Sequence, residues 1–194
     1  VPRQDIAPGQ HVHTQNLEFS DFERDYAVGQ DAHPTDFVDA PAMFDGIVRA
    51  DGRIATRNYI GILTSVNCSA TVARAIADHF RRDIRPEALA ACPNVDGVVA
   101  LTHGAGCATG SDGEPLRVLR RTLGGYARHA NFGGLMVVGL GCETNQIGGL
   151  MEQEHLRESG MLHTFNIQDT GGTRKTVARG IELVERMLDQ ANRV

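Results

Sequence analysis

Three apolar, β-branched runs in this chain each empty into a polar turn that carries a cysteine, and this repeated grammar constrains the fold more than any other feature. The clearest is Val95–Cys107, VDGVVALTHGAGC. Val98, Val99 and Leu101 need burial, whereas His103-Gly104-Ala105-Gly106-Cys107 suits a loop whose backbone comes close to something small and charged. Tyr59–Val66 runs in the same way into Asn67-Cys68-Ser69, and Leu135–Leu140 into Gly141-Cys142-Glu143. Helical stretches separate these runs. Ala70–Arg82 places Val72, Ala75, Ile76, Ala77 and Phe80 on one stripe, with Ser69 as its cap, and Glu114–His129 does the same with Leu116, Leu119, Leu123 and Tyr126. Asn131-Phe132-Gly133 then turns into the third strand. A weaker helix over Ile147–Leu156, a fourth strand over Leu162–Ile167 and a strong final helix over Thr173–Asn192 complete the pattern.

Alternating strands and helices of this length predict right-handed crossovers and a sheet covered on both faces. The fold class expected is α/β, a Rossmann-like three-layer domain with a mostly parallel sheet of about four to five strands, preceded by an irregular N-terminal arm. FDGIVRADGRIATRNYIGILTSV reads as two strands, Ile47–Arg49 and Tyr59–Val66, around an Asp51-Gly52 turn. Nearer the N-terminus, Ala7-Pro8-Gly9-Gln10 is a turn and His11-Val12-His13 a short alternating strand with both imidazoles on one face. Such a pair is either ordinary polar surface or a shared metal site. Residues 21–45 are acidic, hold Pro34 and Pro41 and lack a period, which reads as a linker or arm before an α/β domain at 46–194.

The net charge is −5, with 19 Lys and Arg against 24 Asp and Glu, so no basic stripe is available for nucleic acid. Arg81, Arg82 and Arg85, like Arg117, Arg120 and Arg121, fall at helical spacing and read as solvated faces. No run reaches the roughly 20 apolar residues of a membrane span, and no signal peptide is visible. The 4 cysteines lie far apart in sequence, a usage that suits a reducing cytoplasm with thiols kept for chemistry or metal.

In parallel sheets, ligands bind beyond the carboxyl ends of the strands. Cys68, Cys107 and Cys142 are expected at those ends, where three thiolates suit a soft or borderline metal or an iron–sulfur cluster with one open position. The competing reading is three ordinary buried thiols, which is the expectation for Cys92. His103 is the candidate proton handler or metal ligand, and Glu143 the candidate ligand-orienter or acid/base. Asn67, Ser69, Asn145 and Gln146 are candidates for binding hydroxyls or a carboxylate, and Arg57 or Arg53 for forking a carboxylate. GLGCETN has the first two glycines of a dinucleotide loop but lacks the third, so the fingerprint is incomplete and a nucleotide-binding Rossmann domain is the alternative.

DGRIATRNYIGILTSVNCSATVA, VDGVVALTHGAGC and MVVGLGCETNQI together resemble the altronate and galactarate dehydratase family of sugar-acid hydro-lyases. IAPGQHVHTQNL resembles the end of that family's small N-terminal SAF-type module, which puts residues 1–20 in its tail. The resemblance implies the whole second, α/β domain of a chain about twice this length or more, with a C-terminal domain as partner and little activity without it. It implies loss of water from a polyhydroxy acid to give a 2-keto-3-deoxy acid, with iron, as Fe2+ or a cluster, or another divalent metal. Cys68, Cys107 and Cys142 would then be metal-proximal, His103 an acid/base, and His11 and His13 further ligands. A homo-oligomer in the cytoplasm is expected. Within the same family, release of sulfite from sulfolactate is an alternative, as is a non-catalytic binding or assembly role.

Overall fold

A computed structural model describes residues 1–21 and 23–194. The chain divides into two compact units, Val1–Met43 and Phe44–Val194. In the first, Gln10 N–H donates to Ala7 O at 3.0 Å, closing the expected turn. His11-Val12-His13 is not a strand. Asn16, fully buried, accepts from His13 N–H through Oδ1 at 2.9 Å and donates to His11 O at 2.9 Å. These bonds fold the segment into a turn, and the side chain of Asn16 outcompetes extension. The two imidazoles still lie near each other, with ring centroids 5.6 Å apart. Phe22, within the expected arm, lies outside the described residues.

The second unit opens with a two-stranded hairpin, β1 (Ile47–Val48) against β2 (Ile54–Ala55). Asp51-Gly52 is in its loop as expected, but the partner of β1 is Ile54–Ala55 rather than the Tyr59 strand. That strand, β3 (Tyr59–Thr64), is buried on both faces and belongs at the centre of the main sheet. After it come α1 (Ala70–His79), β4 (Gly97–Leu101), α2 (Glu114–Ala127), β5 (Phe132–Gly139), α3 (Ile147–Gln153), β6 (Leu162–Asn166), the single turn α4 (Ile167–Thr170) and α5 (Thr173–Ala191). All three pairings in this sheet are parallel, in the order β4-β3-β5-β6. β5 begins at Phe132, where a turn was expected. A Cβ on Gly133 would collide with Asn58 Oδ1, so glycine there permits a close approach and extends the strand.

Period-2 alternation along the central strands builds the three layers. Ile60, Ile62, Met136 and Val138 face α1 and α5, while Leu63, Leu135 and Val137 face α2 and α3. Each such side chain, removed from water, contributes about 1.5–3 kcal/mol. The crossover through α1 carries the chain from β3 to β4, and the one through α2 returns it past β3 to β5. The order therefore reverses between β3 and β5, and their following helices leave on opposite faces. That divergence opens a crevice at the strand ends.

α1 and α5 pack closely because position 180 has no side chain. A Cβ there would stand 2.8 Å from Cγ1 of fully buried Ile76, and nearer still to its Cδ1. Gly180→Val is expected to lower stability by about 2 kcal/mol through overpacking, read as a shift of the urea midpoint without a change of slope.

Candidate active site

The loops that follow β3, β4 and β5 are laced together by their own backbones. Asn67 N–H donates to Ala105 O at 2.9 Å, Asn145 N–H to Gly106 O at 3.3 Å, and the Thr144 hydroxyl to Cys107 O at 3.1 Å. Gly106 makes the approach possible. It has φ +100°, and a Cβ there would stand 2.5 Å from Ser65 O. The lacing gathers Cys68, Cys107 and Cys142, all exposed, on one rim.

Withdrawal from water raises the Cys68 thiol above its ordinary range first. A hydrogen-bonding contact with Cys107 and the charges that Cys107 and Cys142 would carry raise it further. Cys68 Sγ donates to Asn67 Oδ1 at 3.8 Å, and Cys142 Sγ accepts from Gln168 Nε2 at 3.4 Å. Among the described residues no three His, Cys, Asp or Glu side chains form a ready coordination shell. The donors suit a soft or borderline metal in kind. Cys92 is buried away from this rim in the core beside α1 and α5.

Glu143 organises the site. It is 2% exposed, and its carboxylate accepts from the Ser65 hydroxyl at 2.6 Å, Leu140 N–H at 3.1 Å and Gly141 N–H at 2.6 Å. Burial pushes its pKa up, but the Ser65 hydroxyl and these backbone donors outweigh that and hold it below the usual range. Both carboxylate oxygens are thus engaged, and the side chain braces the loop after β5 against the end of β3. The same bonds take up Leu140 and Gly141 N–H, the groups that a dinucleotide loop would offer to a phosphate.

His103 is half-buried, with both ring nitrogens engaged. Nε2 donates to Thr64 O at 2.8 Å and Nδ1 accepts from Ala105 N–H at 3.1 Å, which fixes the Nε2–H tautomer. Of the residues expected to bind substrate, Asn67 and Gln146 are exposed on these loops. Asn145 and Ser69 are fully buried. Asn145 Nδ2 donates to Ser65 O at 2.8 Å and its Oδ1 accepts from Arg120 Nε at 3.0 Å. The Ser69 hydroxyl points to Val138 O at 2.7 Å and Val66 O at 2.9 Å and makes no helix cap. Both are structural because each ties two strand ends together. Arg57 precedes β3 and so stands at the other end of the sheet, a six-residue strand or roughly 20 Å away. Its guanidinium donates to Thr56 O at 2.8 Å, and Arg53 pairs with Asp51 at 2.6 Å in the hairpin. His11 and His13 belong to the other unit.

Sequence reasoning read Arg120 as part of a solvated face, whereas it donates to buried Asn145, and gave no role to Ser65 or Arg74. Arg74 lies on α1 and donates to the Thr102 hydroxyl at 2.8 Å, beside the rim. Its signal was position, since it follows the Cys68 turn by about two helical turns.

A doubly wound α/β domain with a thiol-bearing rim beyond its strand ends is the class of protein that these features define. The family model "D-galactarate dehydratase/Altronate hydrolase, second domain" matches residues 46–192, and the chain belongs to that family. Altronate dehydratase of Escherichia coli (strain K12) is 34% identical over 154 residues, covering 76% of this chain and 29% of that protein. Altronate dehydratase of Bacillus subtilis (strain 168) is 32% identical over 156 residues, covering 77% and 29%. Galactarate dehydratase (L-threo-forming) of Escherichia coli (strain K12) is 35% identical over 155 residues, again covering 77% and 29%. The chain thus spans about 29% of the length of the curated relatives it matches. No solved structure matches it significantly. No helix among the described residues is long and apolar enough to cross a membrane.

Gly106→Ala is expected to destabilise by about 2 kcal/mol and to raise the rate of thiol labelling at Cys68 and Cys107, as the laced loops part. Because folding lowers the Glu143 pKa, its stabilisation is complete above the unfolded value of about 4.3. It is lost as pH falls through the folded value. Glu143→Gln is expected to lose about 1–3 kcal/mol at pH 7, and denaturation curves of variant and wild type should converge only once the pH has fallen below the lowered folded value.

Proposed function

We propose that this chain is the α/β part of a hydro-lyase that removes water from a polyhydroxy carboxylic acid of altronate or galactarate type. The observation that carries the reading is the convergence of Cys68, Cys107 and Cys142 on one rim in a member of this family. Breaking the Cα–H bond leaves an electron pair that the carboxylate shares as an enediolate. The β-hydroxyl, taking a proton from solvent, leaves as water and gives an enol, which tautomerises to the 2-keto-3-deoxy acid. The three thiolates would hold iron, as Fe2+ or in a cluster, and that group when bound supplies the positive charge for enediolate and leaving oxygen.

The chain's own residues supply the rest. His103 Nδ1 is the basic nitrogen on the rim, and its lone pair holds only the exposed Ala105 N–H. Taking up the Cα proton there leaves Nε2–H donating to Thr64 O, so the ring keeps its orientation while charged. Glu143 holds the β5 loop in place through Ser65, and exposed Asn67 and Gln146 meet substrate hydroxyls. The nucleotide-binding alternative is disfavoured because the Leu140 and Gly141 N–H groups are already taken by Glu143.

The test is formation of 2-keto acid from altronate and from galactarate by the anaerobically iron-loaded full-length protein. Cys68→Ala, Cys107→Ala and Cys142→Ala are each expected to lose bound iron and lower kcat by at least about 100-fold, and His103→Gln to lower it by about 100-fold or more with iron retained. Undiminished turnover in the triple cysteine variant would overturn the thiol rim as the reaction centre.

A further inference from the structure

The outward side of α2 is apolar where a solvated helix would be polar. Leu116, Leu123 and Gly124 are its buried residues. Around the helix from them, Pro115, Val118, Leu119 and Thr122 line a shallow depression of about 590 Å3, with Glu114 at its N-terminal end. Tyr126, four residues beyond Thr122, continues the row. Val118 is 40% exposed and Tyr126 45%. Arg117 and Arg121, also four residues apart, run alongside. Neither belongs to an ion pair among the described residues. Arg117 donates to Asp112 O at 2.9 Å, whereas Arg120 is turned inward to Asn145.

The segment before β1 has the complementary character. From Asp21 to Asp45, acidic residues recur against the one cation Arg24. Yet Tyr26, Val28, Phe37, Val38 and Met43 are all exposed, Phe37 at 90% and Val38 at 73%. A mere spacer is poor in aromatic and β-branched side chains, which gain nothing in water. A turn interrupts the segment, with Gly29 at φ +78° and its carbonyl accepting from Ala32 N–H at 3.3 Å. Beyond it, Asp36-Phe37-Val38-Asp39 sets two apolar side chains between two carboxylates. Neither carboxylate joins an ion pair among the described residues. An extended stretch puts residues three apart at roughly 10 Å, a span that two arginines one helical turn apart reach with their long stems.

We infer that the outward side of α2 is the docking site for the acidic arm of a second copy of this chain, with Phe37 in the depression over Val118 and Leu119 and with Asp36 and Asp39 on Arg117 and Arg121. In a single chain the arm's apolar side chains and the α2 row are each exposed. A second copy brings both complements at once, so a two-fold exchange makes the contact twice. The doubling matters because stable pairs bury roughly 800 Å2 per partner, more than one four-residue segment supplies. Apolar contact gives the affinity, and the ion pairs fix the register. The inference stands apart from the dehydratase reading, since it uses neither the thiol rim nor His103.

Sedimentation of the 194-residue chain is expected to show a concentration-dependent dimer that weakens as salt is added. Arg117→Asp with Arg121→Asp, and separately Asp36→Arg with Asp39→Arg, are each expected to weaken dimerisation by about 100-fold. All four positions are exposed, so unchanged melting curves check the fold of both variants. Mixed together, the two variants are expected to regain the dimer, because each arm then meets a groove of opposite charge. A mixture that stays monomeric, or a wild-type dimer untouched by either reversal, would overturn the assignment. So would a wild-type chain that remains monomeric at every concentration. Faster amide exchange in α2 of a monomeric Phe37→Ser variant would then give the groove to the chain's own arm.

Discussion

Burying an ionised carboxylate costs several kcal/mol unless donors replace its water, and the site depends on how Glu143 meets that requirement. Ser65, Leu140 and Gly141 each donate to it, so the loop after β5 is fixed to the end of β3 from the inside. Asn145, fully buried, repeats the connection through Ser65 O and extends it to α2 through Arg120. Those two side chains tie the loop that carries Cys142 to the strand end that precedes Cys68. The loop after β4 is drawn in by Gly106, whose missing Cβ lets backbone lie against backbone.

The strand order supplies the stage for this arrangement. Because the chain turns one way from β3 and the other way from β4, β3 and β5 are neighbours whose helices leave on opposite faces. Strand ends there are free to converge without a helix in the way. The same topology leaves β6 at one edge, where Glu158 caps the strand and a cavity forms beside it.

Much of this was legible in the residue pattern. Ile60 and Ile62 against Leu63, or Val138 against Val137, announce a sheet buried on both faces, and the helical stripes fall where the helices are. The errors have local causes. Asn16 bends a segment whose alternation read as extended, and Gly133 starts a strand because Asn58 needs the room. The hairpin of β1 finds a nearer partner because β3 is claimed by two strands of the main sheet. In the site, residue type showed which groups were chemical but not which were spent. Ser69 and Asn145 look like ligands to hydroxyls, yet each is buried in bonds to backbone. Arg57 looked like an anion fork and stands at the wrong end of β3.

Sequence alone determined the α/β class, the strands and helices in order, and the delivery of three cysteines to strand ends, because hydrophobic periodicity and loop chemistry are local properties of the chain. Only the tertiary structure decided that the loops carrying those cysteines are laced together, that the Glu143 carboxylate is taken up by Ser65 and two backbone N–H groups, and that Asn145 is spent on Ser65 O and Arg120. Those outcomes depend on strand order and on hydrogen bonds between residues far apart in sequence, such as Ser65 with Glu143. No local pattern encodes a partner 78 positions away.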